Sequence, residues 1–197
     1  MNRNWLMAGT AAVALEALTP GGAVADVRAW RFHADHILGT SLDVTVVTPD
    51  EATAITAAEA VREEIGRLDL ILSGWRDDSE LTSVNRGLVT SVSTELFDVL
   101  RSAAYWRATT SGAFDERLGE VEHLWRRAAV QGKGLNEAEL YRAVGRASEL
   151  REPCGADHMI HRAEGVSFSL DGFAKGVIVD AALEAGRKAV PGVEGLL

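Results

Sequence analysis

"WRFHADHILGTSLDVTVVTPDEATAITAAEAVREEIGRLDLIL", Trp30 to Leu72, changes its period halfway along, and that change decides the fold class. In the first part Trp30 and Phe32 alternate with Arg31 and His33, and Leu42, Val44 and Val46 alternate with Asp43 and Thr45. Alternation by two is the mark of a strand with one buried face. Gly39 lies between the two runs and suits a tight reversal, so the stretch predicts an antiparallel hairpin. After Pro49 the spacing lengthens. Ile55, Ala58, Val61, Ile65, Leu68 and Leu72 step by three or four, and Glu51, Glu59, Arg62, Glu63 and Arg67 take the opposite face. That is an amphipathic helix over Glu51 to Leu72.

The rest of the chain is mostly helical. "SGWRDDSELTSVNRG", Ser73 to Gly87, reads as a long loop with one short helical turn at Glu80–Val84. Ser93 is a good N-cap for a helix whose buried stripe is Leu96, Val99, Leu100, Ala103 and Trp106, ending by Gly112. "GAFDERLGEVEHLWRRA" is a Gly-bounded turn carrying Asp115, then a helix using Leu118, Val121, Leu124 and Trp125. "QGKG" stops it. Asn136 and Glu139 form a capping box for a helix to about Arg146. Val166, Phe168 and Leu170 alternate with Ser167 and Ser169 as a strand would. Gly172 to Lys188 is helical, with Val179 and Leu183 on one face. "VEGLL", Val193 to Leu197, reads as the opening of one more strand. The order β-β-α-α-α-α-β-α-β predicts an α+β fold, antiparallel strands with packed helices, incomplete at its C-terminus.

Composition excludes several function classes. The 197 residues carry a formal net charge of −9, with 47% hydrophobic and 25% charged residues. Those are ordinary values for a globular chain. The acidic balance speaks against a general nucleic-acid or anionic-membrane binder, since both partners attract net basic surfaces. Cys154 is the only cysteine, so neither an intramolecular disulfide nor a cysteine-based zinc cluster can form. Residues 1–25 differ in character from the remainder of the chain. Arg3 precedes the Ala-, Leu- and Val-rich run, and Ala23-Val24-Ala25 fits a small-x-small cleavage pattern. The stretch reads as an export signal, with a disordered or helical leader as the alternative, which leaves 26–197 as the mature domain.

The chemistry-bearing residues are few. Phosphate-loop, dinucleotide-fingerprint, zincin and nucleophile-elbow patterns are missing from the sequence. His33 and Asp35 share one strand face and His36 the other, which disfavours a metal site there. His158 and His161, one helical turn apart, make no stronger a metal site. "SLDGFAKGVIVD", Ser169 to Asp180, is more informative. A strand running into a helix start gathers free backbone N–H groups at the positive end of the helix dipole. Lys175 in the first helical turn adds a cation, which makes an anion site suited to a diphosphate. The plainer alternative has Asp171 as an N-cap and Lys175 as a solvated residue.

Four stretches together resemble the FAD:protein FMN transferase family, the ApbE flavin transferases. "HILGTS" is similar to the family's M-G-T element, with Leu38 in place of Met. "SGWRDDSELTSVNRG" resembles its aromatic-x-x-x-S-E-L-S-x-x-N element, with Trp75 at the aromatic position and Ser79, Glu80, Leu81 and Asn85 matching. "GAFDERLGEVEHLW" resembles G-x-F-D-x-T-x-G-x-L-x-x-L-W, and "SLDGFAKGVIVD" resembles D-L-x-G-I-A-K-G-x-x-x-D. The resemblance spans about Phe32 to Leu197. It implies that FAD is bound with Mg2+ and that FMN is transferred to a threonine of an acceptor protein, AMP leaving. On this resemblance Leu38 and Trp75 would line the flavin or adenine pocket, and Ala113, Phe114, Asp115, Ser169 and Lys175 would contact FAD. The main-chain carbonyl of Gly172 would be a magnesium ligand. The acceptor would be a periplasmic or membrane-associated redox flavoprotein, reached from the exported compartment, with peripheral membrane association through that acceptor. Three departures stand out. Ser169 takes the place of the family's ligand-contacting Asp, with Asp171 expected on the opposite side of a strand. Arg117 replaces a Thr. The family's C-terminal part, with the rest of the metal site, has no counterpart here. A non-catalytic flavin- or nucleotide-binding remnant, or a structural partner protein, are therefore the rival readings.

Overall fold

The computed structural model describes residues 6–11, 27–150, 154–191 and 193–196. They fall into two compact units, the first made of 1–67 and 176–197 and the second of 68–175. The strands are β1 Leu6–Ala11, β2 Arg28–Ile37, β3 Thr40–Thr48 and β4 Glu194–Leu196. The helices are α1 Glu51–Leu72, α2 Glu80–Asn85, α3 Thr94–Thr109, α4 Gly119–Gln131, α5 Glu137–Glu149 and α6 Ala174–Ala189.

The first unit is built on a four-stranded antiparallel sheet in the order β1-β2-β3-β4. The predicted hairpin is β2–β3, registered with Arg28 opposite Thr48 and Phe32 opposite Val44. Trp30, Phe32, Val44 and Val46 are buried, as the alternation requires. The Trp30 indole N–H donates to the Thr48 carbonyl (3.1 Å) and so loses no hydrogen bond on burial. Leu38 and Gly39 both have positive φ, 50° and 76°. That is the twist a two-residue hairpin loop needs, and it is set here by a Leu-Gly pair rather than the commoner Asn-Gly. A bulge lies between Ala34 and Ile37, where His36 has φ 61°.

Two strands of this sheet bear on the sequence reading. β4 pairs with β3 where "VEGLL" predicts a further strand. β1 lies within the stretch read as a leader and pairs antiparallel with β2, so those six residues are extended and hydrogen-bonded rather than helical. The leader's remaining residues and its cleavage pattern at Ala23-Val24-Ala25 lie outside the described residues.

Helix α1 forms over the residues its period predicts. In the first unit it buries Ala54, Ala57, Ala58, Val61 and Ile65. Helix α6 packs against it, with Ile178, Ala182 and Gly186 buried and Val179 exposed. The sequence places Val179 and Leu183 on the core face, and the structure turns the helix by one residue. A Cβ added at Gly186 would lie 2.9 Å from Val61 Cγ2, so α6 approaches α1 too closely for a larger side chain. Small residues mark this contact face, and apolar periodicity is blind to them.

The second unit contains α2 to α5. Two of their starts are capped as the sequence suggests, Ser93 accepting from Leu96 N and Asn136 from Ala138 N and Glu139 N. Ser79 caps α2 in the same way, accepting from Thr82 N. Gly132, with φ 60°, ends α4 in the left-handed cap that glycine favours. Leu81, Val84, Leu96, Leu100, Phe168 and Leu170 form the buried centre of the unit. Trp106 and Trp125, predicted on buried stripes, are about half exposed, at 45% and 59%.

Residues 166–170 keep the alternating burial of a strand but form no ladder with one. Asn85 takes a strand's role, donating Nδ2 to Phe168 O (2.8 Å) and accepting from Phe168 N (2.7 Å). The loop before α4 supplies the rest. Gly119 N donates to Ser167 O (2.9 Å) and Ser169 N to Glu116 O (2.8 Å). A side-chain amide and a loop thus satisfy backbone groups that a neighbouring strand would otherwise meet.

Candidate functional site

Within the second unit a half-open pocket of about 390 Å³ is walled by residues 74–77, α2, α4 and the 167–171 segment. That volume is at the lower end of small-molecule sites, which run from ~300 to ~1,000 Å³, and suits one end of a dinucleotide better than the whole.

Trp75 stands at its mouth, 66% exposed. Two contacts fix the ring. Its indole N–H donates to Asp171 Oδ2 (2.8 Å), and the Arg126 guanidinium lies over one face, Cζ 3.4 Å from the ring centroid. Arg126 pairs with Glu122, one turn back on α4, and with Asp171 Oδ2 (3.3 Å). Ser169 Oγ donates to Glu122 Oε2 (2.6 Å). Trp75, Arg126, Glu122, Ser169 and Asp171 therefore form one connected group.

The two carboxyls influence each other, and their pKa values shift in opposite directions. Burial, the hydrogen bond to Glu122 and that group's charge hold Asp171 above the usual aspartate range, against the pull of the Trp75 N–H and Arg126. Burial also pushes Glu122 up, but hydrogen bonds from Ser169, Asp171 and Arg126 outweigh it and hold Glu122 below its ordinary value. Of the two, Asp171 is therefore the one that takes up a proton first as pH falls.

The sequence reading sets Asp171 on the opposite side of a strand from Ser169, but residues two apart on a strand share a face. Both line the pocket, and the chain leaves its extended path just beyond Leu170. Phe173 N and Ala174 N both bond back to Leu170 O (2.8 and 2.7 Å), turning residues 171–173 into the start of α6. Period-two alternation ends where that turn begins.

The other site residues named from sequence are more dispersed. Lys175 is exposed in the first turn of α6 and makes no ion pair among the described residues. Phe114 packs at 5.9 Å from Phe173, and its ring edge faces Gly172. Ala113 is exposed beside it. Asp115 is held by Arg117, Nε at 2.8 Å and Nη2 at 2.6 Å, with Arg117 N at 3.0 Å, and is nearly buried. Burial raises its carboxyl, yet Arg117 pulls it below the ordinary range. The Arg at position 117 therefore uses Asp115 as its own partner. Leu38 belongs to the first unit, in the hairpin loop.

Sequence reasoning does not select Arg126, Glu122, Arg76 or Arg86, all on the pocket wall. Glu122 and Arg126 stand four apart on one helix, a spacing that signals an ion pair, but nothing in the sequence points it at Trp75. Every arginine of the wall is neutralised locally: Arg76 by Asp78 and Asp69, Arg86 by Asp77, Arg126 by Glu122 and Asp171. The pocket offers a stacking surface rather than an open cationic cradle.

The donor set does not fit a resident magnesium ion. Mg2+ takes about six oxygens in near-octahedral array. Among the described residues no group of three or more acidic, histidine or cysteine side chains is placed to hold a metal. Glu122 and Asp171 already spend their oxygens on each other, Arg126, Ser169 and Trp75. His33, another residue weighed as a metal ligand, has Nδ1 on Asp43 (2.8 Å) and Nε2 near Asp35 (3.3 Å).

Comparison with known proteins decides the family. The ApbE family model matches residues 38–196. The chain belongs to the ApbE family. An FAD:protein FMN transferase of Klebsiella pneumoniae (strain 342) is 32% identical over 91 residues, 45% of this ApbE chain and 26% of that protein. The ApbE protein of Thermotoga maritima superimposes with a TM-score of 0.73 at 22% identity, over 84% of this chain and 54% of its own. The apo flavinyl transferase ApbE of Pseudomonas stutzeri gives 0.70 at 20% identity, over 85% and 54%. These likenesses establish the α+β fold as the ApbE one. This ApbE chain spans about half the length of the solved relatives it matches.

Proposed function

We propose that this chain forms the flavin-nucleotide-binding part of an FAD:protein FMN transferase. The observation that carries the reading is Trp75, edge pinned by Asp171 and one face backed by Arg126, at a pocket sized for a ring system. Membership of the ApbE family supplies the reaction class. In that reaction a threonine hydroxyl of an acceptor protein attacks the FMN-side phosphorus of FAD. The bond from that phosphorus to the oxygen bridging to AMP breaks, AMP leaves with that oxygen, and the hydroxyl proton is released. The flavin or adenine ring would stack on Trp75, and the diphosphate would lie outside the ring pocket, toward Lys175. Local neutralisation of the wall arginines supports this division, because the wall has no spare cation for a diphosphate. Gly172's carbonyl would be one magnesium ligand only if other oxygens complete the shell.

A binding module without transfer is the second reading, and the crowded donor set of Glu122 and Asp171 favours it. One experiment separates the two. FAD and riboflavin are titrated into wild type and Lys175→Ala, with and without Mg2+, and a threonine peptide is assayed by mass for FMN addition. Lys175→Ala should weaken FAD by about 1–2 kcal/mol through loss of a charge-assisted contact, and riboflavin hardly at all. Transfer to the peptide identifies the transferase, and saturable binding without transfer identifies the module. If wild type binds neither ligand, both readings fall. The acceptor would be a redox flavoprotein of an exported compartment, reached after removal of residues 1–25, and any membrane association would run through that acceptor.

A further inference from the structure

The Arg126 guanidinium covers one face of Trp75, yet the ring remains 66% exposed. The open surface is therefore the other face and the free edge. The indole cannot swing to exchange faces without breaking its bond to Asp171, nor can Arg126 leave without abandoning two carboxylates. Arg126 Nε is buried with no hydrogen-bond partner, which shows what the guanidinium gives up to lie against the indole rather than in the plane of another acceptor. The contact is thus held by the ring face and by the two acids together.

We infer that Arg126 is a positioning residue that makes Trp75 a one-sided platform, so that a planar ligand ring stacks only on the face away from Arg126. This rests on the flavin-binding reading and adds the residue that orients the ring. The mechanism is preorganisation. A tryptophan held in one rotamer loses little freedom when a ring lands on it, whereas a loose one must be ordered at that moment. Planarity is what matters. Arginine can lie flat on the indole while reaching both carboxylates, and lysine, a point charge on a flexible stem, cannot.

The test uses the full chain labelled with fluorotryptophan, the Trp75 signal being identified by its loss in Trp75→Phe. Arg126→Gln and Arg126→Lys are compared with wild type by fluorine NMR, thermal melting, and titration with FAD and riboflavin. In a folded Arg126→Gln the Trp75 signal should shift and broaden. Affinity for FAD and for riboflavin should fall by the same factor, roughly fivefold or more. Arg126→Lys should behave like Arg126→Gln. Restoration by lysine would overturn the proposal, because charge alone would then suffice. A loss confined to FAD would also overturn it, by assigning Arg126 to the phosphates. Unchanged affinity in both variants would do the same. If wild type binds no flavin, the functional reading fails on that result. An unaltered Trp75 signal in Arg126→Gln, in contrast, removes the clamp whatever the ligand.

Discussion

Asp171 accepts the Trp75 N–H, meets Arg126 and is held above its ordinary pKa by burial and by Glu122. Its raised folded pKa has a definite consequence for stability. A carboxyl held above its unfolded value, 3.8, stabilises the fold fully below that value, and the contribution is lost as pH rises through the folded pKa. Asp171→Asn imitates the protonated acid, donating to Glu122 and accepting from Trp75 at every pH. The variant should therefore gain on wild type between about pH 4 and about pH 7. Urea melts at the two pH values measure this, and a difference independent of pH would discard the raised pKa. The same residue shows what the sequence can reveal. Trp75 and Ser169 are legible because they occupy motif positions, and both line the pocket. Asp171 follows from strand alternation, since it stands two residues after Ser169 and both line the pocket. What is not legible is its contacts with the Trp75 N–H and with Arg126, made across 96 and 45 residues of chain. Asp115's engagement is equally hidden: the Arg at 117 shows as a departure, but only the fold shows that it turns back on Asp115.

Elements are more legible than faces. The hairpin, α1, the short α2 and the capped starts of α3 and α5 come from period, N-cap chemistry and turn residues, all of which act locally. Residues 166–170 read as a strand because burial alternates there, while Asn85 and the 116–119 loop satisfy the backbone. On α6 large apolar side chains misdirect the reading, since the contact with α1 needs small ones. Gly186→Ala tests that contact. Alanine is the better helix former by up to about 1 kcal/mol. Its Cβ, however, would lie 2.9 Å from Val61 Cγ2 and 3.4 Å from the Ala57 carbonyl, and a β-branched valine gives way poorly. Gly186→Ala should destabilise by about 1–3 kcal/mol. Adding Val61→Ala should recover part of the loss, so a double-mutant cycle should show coupling of at least about 0.5 kcal/mol. Strict additivity would place the two helices further apart than the structure does. Gly119 is the harsher case, because its added Cβ would meet the backbone of Ser167 and Phe168 at 2.8–2.9 Å, where no side chain can move aside.

At the scale of the whole molecule, the proposed export signal bears on the sheet. The mature native protein should begin near Asp26, and Edman or mass analysis of its N-terminus checks this; an intact Met1 would sink the proposal. Cleavage there would also remove Leu6–Ala11, the partner of β2. The outer rim of β2 would then lie bare, and an unpaired strand is a template on which other chains can assemble. The bulge between Ala34 and Ile37, with its left-handed His36, kinks that rim, and Arg28, Arg31 and Asp35 stand exposed along the strand. A kinked and charged border is a poor surface for a straight incoming strand. The irregularity in the hairpin would thus guard the matured protein against edge-to-edge aggregation once its first strand is gone.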